Sequence, residues 1–422
     1  MGSLSKANMS ATGDFSDEGS EETGWNSSST SSEESPLAVT PSARERWRSW
    51  GAGVPFRRLR LPRLSNPNHT IRKRRWQWCK YILMVVGLLA VFGIIVGFVY
   101  IFLVAALIHE LAPPPNHSGL QHIVESWTLP DTNGAHELTW RDDFSRDIVP
   151  KKCHSHNDYW RSVPLYSALA AGCTSVEADV WLAENGELLV SHSLETTTQL
   201  RTLKTLYLDP IAWIFTKRNI SQASVHKREI GIFDADSDAS VILLVDFKND
   251  GHAIWHTLMA QLQPLRDKNW LTYYDGKDMY RGPLTIVGTG NTPLELVQSN
   301  TTNRFVFFDA PLLSVISGNT NTTFDLTNSY YASVSLKEAI GKIWFNRLSA
   351  EQEKTLKTQI GMVKGTGLQS RYWDTPGWPI SVRDMLWFKL TELGVGVLNV
   401  DDLVSATKWN WHKCIIAGLT LC

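Results

Sequence analysis

VEADVWLAENGELLVSH, residues 176–192, reads as two short runs of alternating apolar residues joined at Asn185-Gly186. Asn-Gly between such runs is a strong hairpin signal, because the tightest hairpin loops need positive φ at both positions. A two-residue loop at Asn185 and Gly186 sets Glu184 against Glu187, Leu182 against Leu189 and Val180 against Ser191. One step further, Asp179 faces His192. Opposed residues stand about 4.5–5.5 Å apart at Cβ on one face of the sheet. Glu177, two residues before Asp179, points to that face as well. This register predicts two carboxylates and an imidazole gathered at one end of the ribbon.

Outward from this stretch, strand-like and helix-like runs alternate. Ile148-Val149 is the first strand candidate. It is followed by SVEADVWL (175–182), VILLVDFK (241–248), LTIVGTG (284–290), RFVFFDA (304–310), YYASVSL (330–336) and GVGVLNV (394–400). Helix patterns fall between several of them: PLYSALAAG (164–172), HAIWHTLMAQL (252–262) and SVRDMLWFKLTELG (381–394). The last opens at Ser381 and stops before Gly394, as capping preferences require. Alternation of this kind predicts a mainly parallel sheet in the α/β class. The roughly 265 residues of 148–413 match the usual length of one (β/α)₈ TIM-type barrel. An open doubly wound sheet is the alternative, although no G-x-G-x-x-G lies between a strand and a helix. Barrel enzymes carry their reactive groups at the C-terminal ends of the strands. There the chain has His154, His156, Asn157 and Asp158 after the first strand, Glu177 and Asp179 closing the second, and Asp246 and Lys248 closing the third.

The rest of the chain is organised by charge. The net charge of the 422 residues is only −1, but residues 1–35 hold seven acidic side chains and one lysine. From Arg44 to Lys80 there are twelve basic residues against one Glu. Residues 1–75 show no periodicity and are expected to form a disordered tail, acidic and then basic. Tyr81 to Ile108 is an uncharged apolar run of 28 residues, and about 20 suffice to cross a bilayer. Residues 81–108 are therefore expected to be a transmembrane helix, too long and too far into the chain for a cleaved signal peptide. Arg72-Lys73-Arg74-Arg75 and Lys80 flank its N-terminal side, and the next Lys or Arg after it is Arg141. The positive-inside rule puts the tail in the cytosol and all that follows in a lumen or outside. Asn116, Asn219, Asn300 and Asn321 open N-x-S/T triplets on the far side, as Asn8, Asn26 and Asn68 do on the tail side. Residues 109–147, with Pro113-Pro114-Pro115, read as a stem, and 414–422 as a C-terminal tail. Cys153, Cys173, Cys414 and Cys422 permit one or two disulfides in an oxidising compartment, while Cys79 lies at the membrane edge. No nucleic-acid partner is expected.

The residues of the strand ends resemble the phospholipase C-like phosphodiesterases, which include the glycerophosphodiester phosphodiesterases. The shared elements are an early His, Glu-x-Asp closing strand two, an Asn-Gly turn, a His on the hairpin's return and an acid with a lysine at strand three. SHNDY (155–159) is similar to the His-Asn pair of the phosphoinositide-specific phospholipases. The longer pattern HSHNDY…PL..AL..G..S.EADV.L..G.LLV.H, followed by TLYLDPI, resembles the fungal altered inheritance of mitochondria protein 6 family over roughly 150–410. RYWDTP (371–376) and GVGVLNVDDL (394–403) fit strands seven and eight of such a barrel. The glycerophosphodiesterases carry His-Arg-Gly where this chain has His156-Asn157-Asp158. They have a Glu where PLYSAL has nothing acidic, and His-Asp where this chain has His192-Ser193. A glycerophosphodiester substrate is therefore not implied.

A phosphodiester is anionic, so one oxygen-bound Mg²⁺ or Ca²⁺ would neutralise charge that develops during its cleavage. Glu177, Asp179 and Asp246 offer three carboxylates and Asn157 a neutral oxygen, a set unlike the nitrogen and sulfur donors zinc prefers. Lys248 would hold a phosphate oxygen as a point charge. Two histidines suit a reaction that needs a base and an acid near neutral pH. His156 is assigned the base on the attacking hydroxyl, which in this superfamily is often the substrate's own, and His192 the acid on the leaving oxygen. His154 is expected as a structural or supporting partner, with Asp158 and Trp373 as further groups near substrate. Trp160, Trp373 and Trp378 could rim the site for lipid or sugar, or simply be core. Asp401 and Asp402 could position substrate or cap a helix. Two other functions fit less of the pattern. An amidohydrolase-type metal hydrolase would also use His154-x-His156 but needs later histidines, and an inactive barrel could bind lipid headgroups or glycans without turnover.

Overall fold

The computed structural model describes residues 67–111, 118–129, 138–220, 231–318, 322–344 and 347–407, with the pairs 415–416 and 419–420. Helix α1 spans Pro67–Leu111. Its stretch from Ile71 to Ile108 is long and apolar enough to cross a membrane, and its side chains are exposed over most of that length, Leu107 near its end being buried. The expected span of 81–108 lies inside it. Residues 67–75, assigned above to the tail, are a correction: they continue the helix. Arg72-Lys73-Arg74-Arg75 are good helix formers with no breaker after Pro67.

The expected stem is also corrected, because its described parts, 118–129 and 138–147, pack on the barrel. Ser118 Oγ accepts from Gln121 N and caps α2, Gly119–Ser126. Leu120 and Ile123 on α2 are buried with Phe144 and Ile148 in the main core. Trp140 stacks on Phe144 with ring centroids 4.7 Å apart.

The first barrel strand is β1, Lys151–Ser155, and not Ile148-Val149, which precede it; His154 is therefore within a strand. Helix α3 (Tyr166–Ala171) leads to β2 (Cys173–Leu182) and β3 (Leu188–Val190), and α4 (Asp209–Arg218) precedes β4 (Val241–Phe247). Then come α5 (Gly251–Asp267), the short pair β5 (Tyr273–Tyr274) and β6 (Met279–Tyr280), β7 (Leu284–Gly290) and α6 (Leu294–Ser299). The chain continues through β8 (Val306–Pro311), α7 (Leu312–Ser317), β9 (Ser329–Ser335), α8 (Leu336–Ile340) and α9 (Ala350–Gly365). The barrel ends with β10 (Gln369–Trp373), α10 (Ile380–Glu392), β11 (Leu398–Val400) and α11 (Leu403–Thr407). Helix α10 starts at Ile380 with Pro379 as its N-cap, one residue before the expected Ser381. Ile415–Ile416 and Leu419–Thr420 form a small antiparallel pair within the expected C-terminal tail.

The sheet runs β10-β9-β8-β7-β4-β2-β1-β11, and the two ends meet at a parallel bridge between Arg371 and Val397. Eight parallel strands thus form a nearly closed barrel of the TIM type. Strand parity sets what each side chain meets. On β4, Val241, Leu243, Val245 and Phe247 face the helices and join the main core. Ile242 and Leu244 face the barrel interior with Val287, Tyr331 and Val397. Asp246 is the next interior residue on that face, which explains how a carboxylate comes to end an apolar strand. Cys153 and Cys173, on neighbouring strands, form a disulfide.

The β2–β3 hairpin corrects the expected register by one residue. Val180 pairs with Val190, Trp181 with Leu189 and Leu182 with Leu188. Ala183 N donates to Glu187 O and Gly186 N to Ala183 O, both at 2.9 Å, so the loop has three residues, 184–186. Gly186 has φ 83° and Asn185 is not in the left-handed region. Asn185 Oδ1 instead accepts from Glu187 N. This is the type I turn with a terminal bulge rather than the two-residue turn. Asp179 consequently meets Ser191, whose N–H donates to its carbonyl, and is not the cross-strand partner of His192.

Candidate active site

The acids converge for a different reason. Asp179 and Asp246 are register partners on the parallel strands β2 and β4. Glu177 lies two residues earlier on the same interior face. One oxygen from each of Glu177, Asp179 and Asp246 lies within 4.8 Å of the others. His192 still reaches the group because the ladder ends at Val190 and the chain turns. Its Nδ1 lies 3.5 Å from Asp179 Oδ2 and 3.2 Å from the Tyr159 hydroxyl.

Each acid has its own surroundings. Glu177 receives the Asn157 N–H at 3.2 Å and lies 3.4 Å from Arg371 Nη2. Burial pushes its carboxyl up, but the Arg371 guanidinium and His154 more than offset this and hold it well below the usual range. Asp179 Oδ2 accepts from the Tyr159 hydroxyl at 2.7 Å and pairs with Lys248 Nζ at 2.9 Å. Its other oxygen, Oδ1, is buried with no hydrogen-bond partner. Burial, then the nearby Glu177 charge, raises the Asp179 carboxyl. Asp246 Oδ2 also meets Lys248, at 2.6 Å. Lys248 therefore bridges two carboxylates, and their charge outweighs burial to raise its ammonium.

His156 Nδ1 is 2.8 Å from Asp401 Oδ1, and its Nε2 is 3.8 Å from Glu177 Oε2. A carboxylate can only accept, so the network assigns the proton to Nδ1 and leaves Nε2 facing the acids. Burial opposes the charged ring, but Asp401 and Glu177 outweigh it and raise its pKa. His154 is fully buried on the interior face. Tyr331 donates to Ser175 Oγ at 2.9 Å, and Ser175 Oγ is 2.7 Å from His154 Nδ1. This chain puts the His154 proton on Nε2, 3.5 Å from Glu177. Burial, then Arg371, lowers its pKa to about 4, so the ring is neutral at pH 7, with Nε2 facing Glu177 but outside hydrogen-bond geometry.

The remaining expected residues divide. Asn157 stays at the site, its Oδ1 2.7 Å from the Tyr159 oxygen and competing with Asp179 Oδ2 for that hydroxyl's one proton. Asp158 does not join it. Its carboxylate takes the Ser155 hydroxyl, the Leu165 N–H and the Tyr207 hydroxyl, tying the loop after β1 to α3. Trp373 is the last residue of β10 and is exposed. Asp402 takes the Ser405 N–H at the start of α11, so the adjacent acids of the last strand split between a histidine and a helix end.

Three residues escaped the sequence reading. Tyr159 touches Asn157, Asp179 and His192. Arg371 is buried and reaches Glu177, Asn399 Oδ1 at 2.9 Å and Asp309 at 3.7 Å. Burial, opposed by Arg371, raises the Asp309 carboxyl. The available signal was parity: an Asp at an interior position of the apolar strand β8 and an Arg at an interior position of β10 need each other or a ligand.

The donor set fits a hard cation. Its three atoms are all oxygens, and an ion about 2.4 Å from each ligand spans donors up to about 4.8 Å apart. Three carboxylates face two fixed cations, Arg371 and Lys248, and one buried oxygen is unpaired. Among the described residues no histidine belongs to this cluster, which is unlike the amidohydrolase alternative.

Residues 142–309 match the family described as the AIM6-like phosphodiesterase domain. The altered inheritance of mitochondria protein 6 homolog of Arthroderma benhamiae is 41% identical over 275 residues, covering 63% of this chain and 85% of that protein. Altered inheritance of mitochondria protein 6 of Eremothecium gossypii is 38% identical over 280 residues, covering 63% of this chain and 71% of that protein. Among solved structures, a glycerophosphodiester phosphodiesterase from Parabacteroides distasonis aligns with a TM-score of 0.35 at 12% identity, over 62% of this chain and 96% of its own. One from Thermotoga maritima aligns with a TM-score of 0.33 at 13% identity, over 62% and 97%.

Proposed function

The chain belongs to the altered inheritance of mitochondria protein 6 family, and from that premise we propose that it is a membrane-anchored, divalent-cation-dependent phosphoric diester hydrolase. The observation that carries the proposal is the convergence of Glu177, Asp179 and Asp246, with Lys248 bridging two of them. Glu177, Asp179 and Asp246, with Asn157 beside them, would hold one Mg²⁺ or Ca²⁺. A cation there supplies charge neutralisation for the phosphoryl oxygens. The ammonium of Lys248, now shared by two carboxylates, is the group to meet a phosphate oxygen once their charge is otherwise satisfied.

Proton transfer falls to the histidines at the mouth. Asp401 holds His156 with Nε2 inward, and that nitrogen takes the proton of the attacking hydroxyl. His192, engaged through Nδ1 by Tyr159, has Nε2 left to protonate the leaving oxygen. The P–O bond to the leaving group breaks as that proton arrives. Arg371 and the Asn157 N–H keep Glu177 ionised and oriented.

We place the barrel in an oxidising compartment across the membrane from the basic flank of α1. The Cys153–Cys173 bond supports this side, since such bonds are rare in the cytosol.

The test is hydrolysis of a bis-aryl phosphodiester by the full chain with Mg²⁺ or Ca²⁺. Activity is expected to vanish with chelator and return with the ion. His192→Ala should lower turnover by about 10²–10⁴ while calorimetric cation binding survives. A fully active His192→Ala variant removes the acid assignment. Cation binding without turnover on any diester favours a barrel that only binds.

A further inference from the structure

The catalytic end of the barrel is the end where tryptophan is exposed. Among the described barrel residues four tryptophans are open to solvent: Trp160 (64%), Trp344 (62%), Trp373 (41%) and Trp378 (76%). Trp373 is the last residue of a strand, and the other three lie in the segments that follow the C-terminal ends of β1, β9 and β10. Trp160 comes after β1, and its ring centroid is 5.0 Å from that of His192. Trp344 lies between β9 and the start of α9, with the Lys342 ammonium 4.5 Å over its ring. Trp373 ends β10, and Trp378 is in the loop that follows. Leu194 and Ile380, also exposed, lie in the loop after β3 and at the start of α10.

Exposed indole is costly in water and favoured where an apolar medium meets a polar one. Four such rings around one mouth form an apolar rim, and rims of that kind mark interaction surfaces. The same chain narrows the choice of partner. Helix α1 ends at Leu111, and Ser118, the cap of α2, is fixed to the barrel through Gly119 N to Asp143 O and Leu120 N to Phe144 O. Seven residue steps can span at most about 25 Å. A bilayer crossed by α1 is therefore always within reach of the barrel.

We propose that this rim is a membrane-docking surface. Trp160, Trp344, Trp373 and Trp378 enter the headgroup region of the bilayer that α1 spans, and the site takes its diester from a phospholipid lying there. The substrate half of this inference rests on the hydrolase reading above; the docking half does not.

The experiment uses the full chain reconstituted in phosphatidylcholine vesicles, with Trp76→Phe and Trp78→Phe to silence the indoles of α1. Acyl-brominated phosphatidylcholine should quench part of the remaining emission, and Trp344→Ser with Trp378→Ser should remove much of that quenching. The same pair of substitutions should cut hydrolysis of mixed phosphatidylcholine, phosphatidylethanolamine and phosphatidylinositol vesicles by about tenfold or more. Hydrolysis of the soluble bis-aryl diester should stay within about twofold, since neither residue touches the acids or histidines. Unchanged quenching overturns the proposal and leaves the rim to a soluble glycan or a protein. Equal loss on both substrates overturns it as well. If no diester is turned over, the hydrolase reading fails, and the quenching decides the docking by itself.

Discussion

Asp179 answers to two opposing demands. It is buried beside Glu177 and Asp246, and its Oδ1 lacks a partner, an arrangement that costs the fold by itself and suits the proposed cation. Its folded pKa is raised by burial and by Glu177. The stability linked to that group is therefore full below its unfolded value near 4 and is lost as pH rises through the folded value. Asp179→Asn keeps acceptors for Tyr159 and Lys248 but carries no charge. In chelator at pH 7 it should melt about 2–4 °C above the parent chain. With saturating divalent ion the order should reverse, because the ion stabilises only a form that binds it. A variant less stable than its parent in chelator contradicts this account. His156 makes a second case. Asp401 raises its pKa and fixes its tautomer. Asp401→Asn should lower kcat by about tenfold to a thousandfold and move the acid limb of kcat/KM to lower pH, since a ring deprived of its carboxylate loses its proton more easily. A limb that stays in place would show that His156 is not the titrating base.

Elements carried most of what could be read in advance. Strands β2, β4 and β7 were legible almost to the residue, because apolar runs of that length bounded by Gly and Asp admit few readings. Glu177, Asp179, Asp246 and Lys248 were legible because parity alone puts them on one face. The hairpin register was not, since Asn-Gly serves both two-residue and three-residue loops, and only the Ala183–Glu187 hydrogen bond distinguishes them. Arg371 and Asp309 were missed because their partners lie far along the chain, as the span from Glu177 to Arg371 illustrates, and Tyr159 because only the turn after β1 brings its hydroxyl to Asp179 and His192. The end of β7 shows how closely an element can be fitted to the site. Gly290 has φ 63°, and a Cβ there would lie 2.0 Å from Asp246 Oδ1 and 2.8 Å from Phe247 O. Gly290→Ala must shift the Asp246 carboxylate and should cost about 1–2 kcal/mol for its left-handed backbone. Cation affinity, followed by calorimetry, should fall about tenfold or more, since one donor is displaced. Unaltered affinity would mean that Asp246 is not a ligand.

At the scale of the whole molecule, one apolar helix divides a chain that is nearly neutral in sum but strongly uneven in detail. Basic residues crowd the N-terminal side of α1 and are missing from its C-terminal flank until Arg141. That asymmetry and the buried Cys153–Cys173 bond are the two observations behind the proposed placement of the barrel away from the cytosol. The same placement makes a prediction about asparagines on the barrel surface. Asn219 and Asn300 both open acceptor triplets and are exposed, whereas Asn116 and Asn321 lie outside the described residues. Asn219 follows α4 in a left-handed C-cap, and Asn300 precedes a turn in which its Oδ1 receives the Thr302 and Asn303 N–H groups. Neither carries core packing, so a glycan could be attached to either at no cost to the fold. Material expressed in a eukaryotic secretory host should therefore lose apparent mass on treatment with an N-glycan-removing enzyme. Asn219→Gln and Asn300→Gln should each remove one step of that shift, while a cysteine-alkylating reagent leaves Cys153 and Cys173 unlabelled unless the protein is reduced. Unglycosylated protein with both thiols labelled would put the barrel on the cytosolic side and reverse the orientation of α1.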